Sequence, residues 1–126
     1  MIQAILSFAT YMAVSLILLA IFVFIYIQFT PYKELRLIKD NNLAAAITLG
    51  SAILGFTLPV ASSVFYTRSL HEMMLWAVIT CLVQLFVFAL AWSQAKHIEK
   101  GNMAIALIIG CLSIAAGILN AVSISH

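Results

Sequence analysis

The sequence predicts an all-α membrane protein whose four transmembrane helices form two helical hairpins related as a parallel repeat. Three observations predict this fold class: an extreme composition, charges confined to short windows, and a weak internal repeat. Of the 126 residues, 65% are apolar and 8% are charged, whereas soluble domains carry about 25% charged residues. Six basic and four acidic side chains are too few to cover a soluble domain. The same composition excludes a disordered chain.

The charged residues divide the chain into four uncharged stretches. They lie in three windows, at 33–40, 68–72 and 96–100. The uncharged stretches are Met1–Tyr32, Asn41–Thr67, Met73–Ala95 and Gly101–His126. Each is long enough to cross the membrane, because about 20 helical residues span the hydrocarbon core. Open strand edges would leave backbone groups unpaired in lipid, so we predict four helical spans in one membrane domain, 1–126.

The first span, about Gln3–Phe29, is expected to remain in the mature protein. No basic side chain precedes it, and its apolar run exceeds the roughly 7–15 residues of a signal-peptide core. Five of the six basic residues lie in the loops after the first and third spans: Lys33, Arg36, Lys39, Lys96 and Lys100. The positive-inside rule therefore predicts cytoplasmic loops there, with both termini outside, in the periplasm.

The chain repeats itself at low identity, with one half at about 1–66 and the other at about 67–126. Two segments carry the repeat: Ile21–Phe24 aligns with Leu85–Phe88, and Asn42–Ala46 aligns with Asn102–Ala106. Each half contains two spans, so both halves start on the same side of the membrane. This predicts a parallel repeat, unlike the inverted repeats of many transporters, and a four-helix bundle built from two hairpins.

Small residues recur at four-residue spacing on the second and fourth spans. The candidate packing positions are Ala46, Gly50, Gly55, Ala106, Gly110 and Gly117. Helices in lipid associate through close backbone approach, which small residues allow. We therefore expect these two spans to form either the packed interior or an oligomer interface, with a pore lining as the alternative. The first and third spans, rich in Ile, Leu, Phe and Val, are expected to face lipid more.

Three residues within the spans are candidate polar or hinge positions. Pro59 interrupts the second span and cannot donate a hydrogen bond to the carbonyl of Gly55. It predicts either a static kink or a hinge, with the hydroxyls of Thr57, Ser62 and Ser63 available to nearby backbone groups. Gln84 and Asn120 are explained by interhelical hydrogen bonds. A polar vestibule formed by Asn120, Pro59 and neighbouring serines is the alternative.

Asparagines at the starts of the second and fourth spans predict helix N-caps. Asp40, Asn41 or Asn42 can cap the second span, and Asn102 can cap the fourth. The alternative is a lipid-headgroup phosphate site at these helix ends, formed by Lys39 and Asn42 in one loop and by Lys100 and Asn102 in the other.

Other kinds of chemistry lack a signature. No acidic or basic residue falls in the middle of a span, which argues against proton-coupled transport. The three histidines are scattered over both sides of the predicted membrane, so we expect no metal site. We find no catalytic constellation and no cofactor fingerprint. The basic loops are too short for a nucleic-acid domain, and membrane lipid is their expected partner.

The sequence resembles a bacterial inner-membrane family known as domain-of-unknown-function 350. The residues that carry the resemblance are Leu37–Asn42, Ala44–Ala45, Gly55–Phe56, Pro59, Asn102, Ala104 and Gly117–Ala121. It extends over essentially the whole chain, including the two-hairpin duplication. The resemblance implies four spans in a bacterial inner membrane and, loosely, a role in membrane complexes. It lends no catalytic residues.

These observations lead to two hypotheses of different classes. The first is a non-enzymatic membrane component that assembles with itself or in a complex through its second and fourth spans, and presents basic loops to cytoplasmic partners or anionic lipid. The second is an oligomeric ion channel or passive small-solute transporter. Its path would follow Thr48, Ser51, Ser113 and Asn120.

Overall fold

The computed structural model describes residues 1–67 and 69–124, and these form a helical bundle. Its α-helices are α1 (Ile2–Phe29), α2 (Glu34–Lys39), α3 (Leu43–Tyr66), α4 (Leu70–Leu90), α5 (Ala95–Glu99) and α6 (Met103–Ile124). A 3-10 turn at Trp92–Gln94 precedes α5. Four helices, α1, α3, α4 and α6, are long and apolar enough to cross a membrane. The predicted all-α class with four spans is thereby confirmed.

The two short helices α2 and α5 lie in the charged loops, at one end of the bundle that we call the loop end. Both end in the same geometry. Asn41 after α2 and Gly101 after α5 have left-handed backbone angles, φ 68° and 85°. The amides of Asn42 and Asn102 then bond back to the carbonyls five residues earlier, at 2.8 Å in each case. This is the Schellman arrangement, which satisfies carbonyls at a helix C-terminus. The two halves thus share this turn, while the repeat of whole hairpins stays a prediction.

The four long helices are buried to different degrees. In an apolar 18-residue window of each helix, half of the residues are buried in α3, 28% in α4, 28% in α6 and only 6% in α1. The first span is therefore the least buried of the four, and its contact with lipid stays a prediction. The expectation that the third span is more exposed than the fourth does not agree with the structure, because α4 places one face, including Met73, Ala77 and Phe88, inside the bundle.

A close helix contact joins α3 to α6 through glycine. A Cβ atom on Gly117 would lie 2.5 Å from the carbonyl oxygen of Gly55 and 2.6 Å from its Cα. A Cβ on Gly110 would lie 2.5 Å from the Ser51 hydroxyl. Ala106 is also fully buried. Most of the small residues on the second and fourth spans are thus used between these two helices of one chain.

The remaining small pair lies outside this contact. Ala46 is half-buried, and a Cβ on Gly50 would meet no atom within 4 Å. These two positions are on the part of α3 that the rest of the chain leaves open.

Pro59 is buried within α3, and the helix continues through it. Pro59 has no backbone N–H and so cannot donate a hydrogen bond to the carbonyl of Gly55. That carbonyl faces Gly117 of α6. The hydroxyls expected near this position bond to other carbonyls: Thr57 to Ile53, Ser62 to Ala121 and Ser63 to Val60, each at 2.7 Å. Ser62 thereby joins α3 to α6.

Candidate functional site

Two amides connect α4 to α6 inside the bundle. The Gln84 side-chain nitrogen donates to the carbonyl of Ser113 at 3.1 Å. The Asn120 nitrogen donates to the hydroxyl of Thr80 at 3.2 Å. Gln84 and Thr80 are fully buried, so both bonds join α4 to α6 inside the bundle, while the vestibule of Asn120, Pro59 and neighbouring serines stays a prediction.

The polar positions considered for a permeation path are occupied by packed side chains. Thr48 is fully buried, and its hydroxyl donates to the carbonyl of Ala45 at 3.0 Å. Ser51 lies against Gly110, and Ser113 is buried. A path along these residues would need these helices to separate.

The candidate headgroup residues divide into caps and exposed cations. The Asn42 side chain accepts from the Ala45 amide at 3.1 Å and donates to the carbonyls of Ile98 and Glu99 at 3.1 and 3.0 Å. Of the three residues considered for this cap, Asn42 is the one used, and it also ties α3 to α5. Asn102 accepts from the amide of Ile105 at 3.2 Å. Lys39 and Lys100 lie exposed nearby.

The structure adds a residue that the sequence analysis missed. Glu34 belongs to the first charged window, yet its side chain is 0% exposed. It begins α2, and the α2 residues three and four positions later, Leu37 and Ile38, pack against the core. Residues three and four apart share a helix face. The spacing of Glu34 to Leu37 and Ile38 is the sequence signal that could have indicated an inward-facing Glu34.

Two buried tyrosines, one near the end of α1 and one in the loop that follows it, lie at the same end of the bundle as Glu34. Glu34 acts electrostatically on the phenols of Tyr26 and Tyr32. Both tyrosine rings meet Phe88 of α4 edge-on, with ring centroids 5.7 and 6.2 Å apart. We call Glu34, Tyr26 and Tyr32 the carboxyl–phenol cluster.

Burial changes the acid–base behaviour of this cluster. Desolvation raises the pKa of Glu34 from 4.5 to about 7, although the neighbouring Thr30 side chain lowers it somewhat. Burial also raises the pKa of Tyr32, so its phenol stays protonated at neutral pH. A carboxyl with a pKa near neutrality inside a protein is a functional-site candidate.

Two open cavities flank the bundle at opposite ends. At the loop end, a cavity of about 500 Å³ is lined by residues 27, 28 and 30–36, which include Thr30, Tyr32 and Glu34. At the other end, a cleft of about 750 Å³ separates α1 from α3. We call it the α1–α3 cleft. On α1 it is lined by Ser7, Tyr11 and Ser15, among others.

A multi-ligand metal centre of the usual kind is not assembled in residues 1–67 and 69–124. No group of three or more His, Cys, Asp or Glu side chains there is placed to hold a metal ion.

Comparisons with known proteins place this fold in a family. The model of the family described as Domain of Unknown Function (DUF350) matches residues 1–124. The UPF0719 inner membrane protein YjfL of Escherichia coli strain K12 is 32% identical, with 94% of this chain and 93% of the relative covered. The UPF0719 transmembrane protein YshE of Bacillus subtilis strain 168 is 30% identical, with 84% of each covered. No solved structure matches. The chain belongs to the DUF350 family of membrane proteins.

Proposed function

We propose that the protein is a non-enzymatic component of the bacterial inner membrane that assembles with further copies of itself. The observation that carries this proposal is the α1–α3 cleft, which opens beside the least buried helix of the bundle. The surface first considered for assembly, the small residues of α3 and α6, is largely used within one chain. Assembly is therefore assigned to α1 instead.

The chemistry of the cleft favours a helix over lipid as its occupant. Ser7, Tyr11 and Ser15 are spaced four residues apart, so they lie on one face of α1, and all three line the cleft. Lipid tails offer hydroxyl groups no hydrogen-bond partner, whereas serine and threonine on membrane helices hydrogen-bond across helix contacts. A second copy presents the same hydroxyl face, so two α1 helices can pack against each other with twofold symmetry.

The orientation is part of the proposal. The loops at the loop end carry five of the six basic residues, which supports a cytoplasmic loop end and periplasmic termini. Exposed Lys39 and Lys100 then face anionic headgroups or cytoplasmic partners. The α1–α3 cleft lies towards the periplasmic side.

Cysteine cross-linking in lipid nanodiscs tests the assembly. With Cys81 and Cys111 replaced by alanine, Ser7→Cys and Ser15→Cys are expected to form disulfide-linked dimers under mild oxidation. Ala9→Cys is the matched control, since it lies exposed at a similar depth on α1 but outside the cleft. Native mass spectrometry of the unmodified protein should show dimers or larger species. A monomer in lipid, with cross-linking no greater than in the control, would contradict the proposal.

A flux measurement separates this proposal from the transport hypothesis. Liposomes containing the protein at high density are expected to show no more leakage of ions or small solutes than empty liposomes. Flux that rises with the amount of protein in the liposomes would favour an oligomeric channel or passive transporter.

A further inference from the structure

A second cavity opens at the loop end, between the loop after α1 and the chain around α5. Its volume is about 290 Å³, and it is lined by Pro31 and Tyr32 on one side and by residues 92, 93, 95, 96 and 99 on the other. The spanning helix α4 ends at Leu90, two residues before Trp92. Tryptophan and tyrosine are enriched at the level where the apolar core of a membrane meets the headgroups. A group held in this cavity therefore lies at headgroup depth.

Contacts with the spanning helices hold the walls of this cavity in place. The Trp92 ring meets Phe29 of α1 and Phe88 of α4 edge-on, with ring centroids 5.5 and 5.9 Å apart. On the α5 side, the Asn42 side chain of α3 donates to the carbonyl of Glu99 at 3.0 Å. A pocket that is formed in advance binds its ligand at a smaller entropic cost.

Two opposite charges line the cavity. Lys96 and Glu99 are three residues apart on α5, so they share one helix face, with Cβ atoms about 5–6 Å apart. Both side chains are exposed, and within residues 1–67 and 69–124 neither takes part in an ion pair. Ser93 and Trp92 also line the cavity. One ligand here meets a cation, an acid, a hydroxyl group and an aromatic ring.

We propose that this cavity binds the headgroup of an ethanolamine phospholipid, with its phosphate at Lys96 and its ammonium at Glu99. In this headgroup, two carbon atoms join a negative phosphate to a positive ammonium, which suits opposite charges one helical turn apart. Lysine is a common phosphate ligand, and an ammonium donates charge-assisted hydrogen bonds to a carboxylate. The face of an indole ring such as that of Trp92 also attracts an ammonium group.

The acid at Glu99 distinguishes this lipid from other phospholipids. The headgroup of phosphatidylglycerol has no positive group to meet the carboxylate, and its own negative charge is repelled by it. The choline nitrogen carries three methyl groups, so it has no N–H to donate to the carboxylate. Of these three headgroups, only ethanolamine satisfies both charges of the cavity.

Native mass spectrometry of the purified protein tests the site lipid by lipid. Phosphatidylethanolamine, phosphatidylglycerol and phosphatidylcholine with the same acyl chains are added in equal amounts in detergent. The ethanolamine lipid should bind with an apparent Kd about tenfold lower than that of either other lipid. Free phosphoethanolamine at the same concentration should not displace it, because a membrane lipid also binds through its acyl chains. The cavity belongs to one chain and lies at the opposite end from the α1–α3 cleft, so a failure of assembly would not affect this result.

Charge variants show which side chains bind the headgroup. Lys96→Ala should weaken binding of the ethanolamine lipid about tenfold, and Glu99→Gln should remove its preference over the choline lipid. Lys39→Ala and Asp40→Asn are the matched controls, because each removes an exposed charge at the same end but outside the cavity. Both controls should keep the preference.

Tryptophan fluorescence of the unmodified protein gives a measurement that does not depend on the charge variants. In nanodiscs of phosphatidylcholine, added ethanolamine lipid should shift the emission, and the shift should saturate as the fraction of this lipid rises. Trp76→Phe should keep the shift, and Trp92→Phe should lose it.

Several results would overturn the inference. Equal affinity for the three lipids without a saturable shift would do so, as would tighter binding of phosphatidylglycerol. An ethanolamine preference that persists in Glu99→Gln would show that the ammonium does not bind there. Displacement by free phosphoethanolamine would overturn the assignment to a lipid.

Discussion

The contact between Gly55 and Gly117 makes a strong prediction about stability. In Gly117→Ala, the new Cβ atom would lie 2.5 Å from the Gly55 carbonyl oxygen and 2.6 Å from its Cα. Ordinary contacts between such atoms are about 3.5 Å or longer. Both partners are helix backbone, so no side chain can turn away. The α3 and α6 helices must separate by about 1 Å at this point.

The cost follows from the packing of the two helices. Adding a methyl group to a filled core costs about 1–3 kcal/mol, and a backbone obstacle places Gly117→Ala towards the upper end. Gly50→Ala is the matched control, because the same methyl group there meets no atom within 4 Å. Replacing a helical glycine by alanine without a clash stabilises by about 0.5–1 kcal/mol. The two variants should thus differ by about 3 kcal/mol, or roughly 100-fold in the unfolding equilibrium.

Unfolding in mixed micelles, with increasing dodecyl sulfate and helicity as the readout, measures this difference. Gly50→Ala should unfold at the same denaturant fraction as the unmodified protein or a higher one, and Gly117→Ala at a clearly lower one. If the two variants unfold together, the close approach of α3 and α6 does not exist and the packing described above is wrong.

Three further predictions concern the polar groups of the bundle. Asn42→Ala removes a helix cap and two hydrogen bonds to α5, so it should lower the unfolding free energy by about 2 kcal/mol. Asn102→Ala removes a helix cap alone and should lower it by about 1 kcal/mol. Gln84→Met loses one interhelical hydrogen bond but also removes a buried oxygen atom that has no partner. Because these two effects oppose each other, its unfolding free energy should stay within about 1 kcal/mol of that of the unmodified protein. In the folded protein the pKa of Glu34 is about 7, above its ordinary value of 4.5. The protonated carboxyl therefore contributes its full share of the unfolding free energy below about pH 4.5, and this contribution is lost as the pH rises through about 7. Between those limits, the unfolding free energy of Glu34→Gln should therefore gain about 3 kcal/mol relative to that of the unmodified protein. An unchanged difference across thermal melts from about pH 4 to about pH 8 would contradict this.

The parts of the fold set by local chemistry were predictable from the sequence. The windows of charge located the four spans because the hydrocarbon core of the membrane excludes charged side chains. The asparagines before α3 and α6 predicted caps because a side-chain oxygen at that position reaches an amide of the first turn. Choosing Asn42 over Asp40 and Asn41 required the left-handed turn at Asn41, which the sequence does not specify.

Glu34 was not predictable in the same way, because its burial depends on where a short helix docks. A charged residue next to Lys33 and Arg36 has the composition of an exposed loop. Only its spacing to Leu37 and Ile38 indicated an inward face, and a helix of six residues is too short for periodicity to decide between faces. Docking of α2 against α3 places the carboxyl inside.

The assignment of the small residues shows why composition cannot separate folding from assembly. Close approach of backbones in lipid obeys the same physics whether the two helices belong to one chain or to two. The chain connectivity brings α3 beside α6, so Gly55, Gly110 and Gly117 are used within the fold. Replacing Gly110 by leucine therefore perturbs folding first. Gly50, with open space around it, is the glycine of α3 whose enlargement should leave the bundle undisturbed.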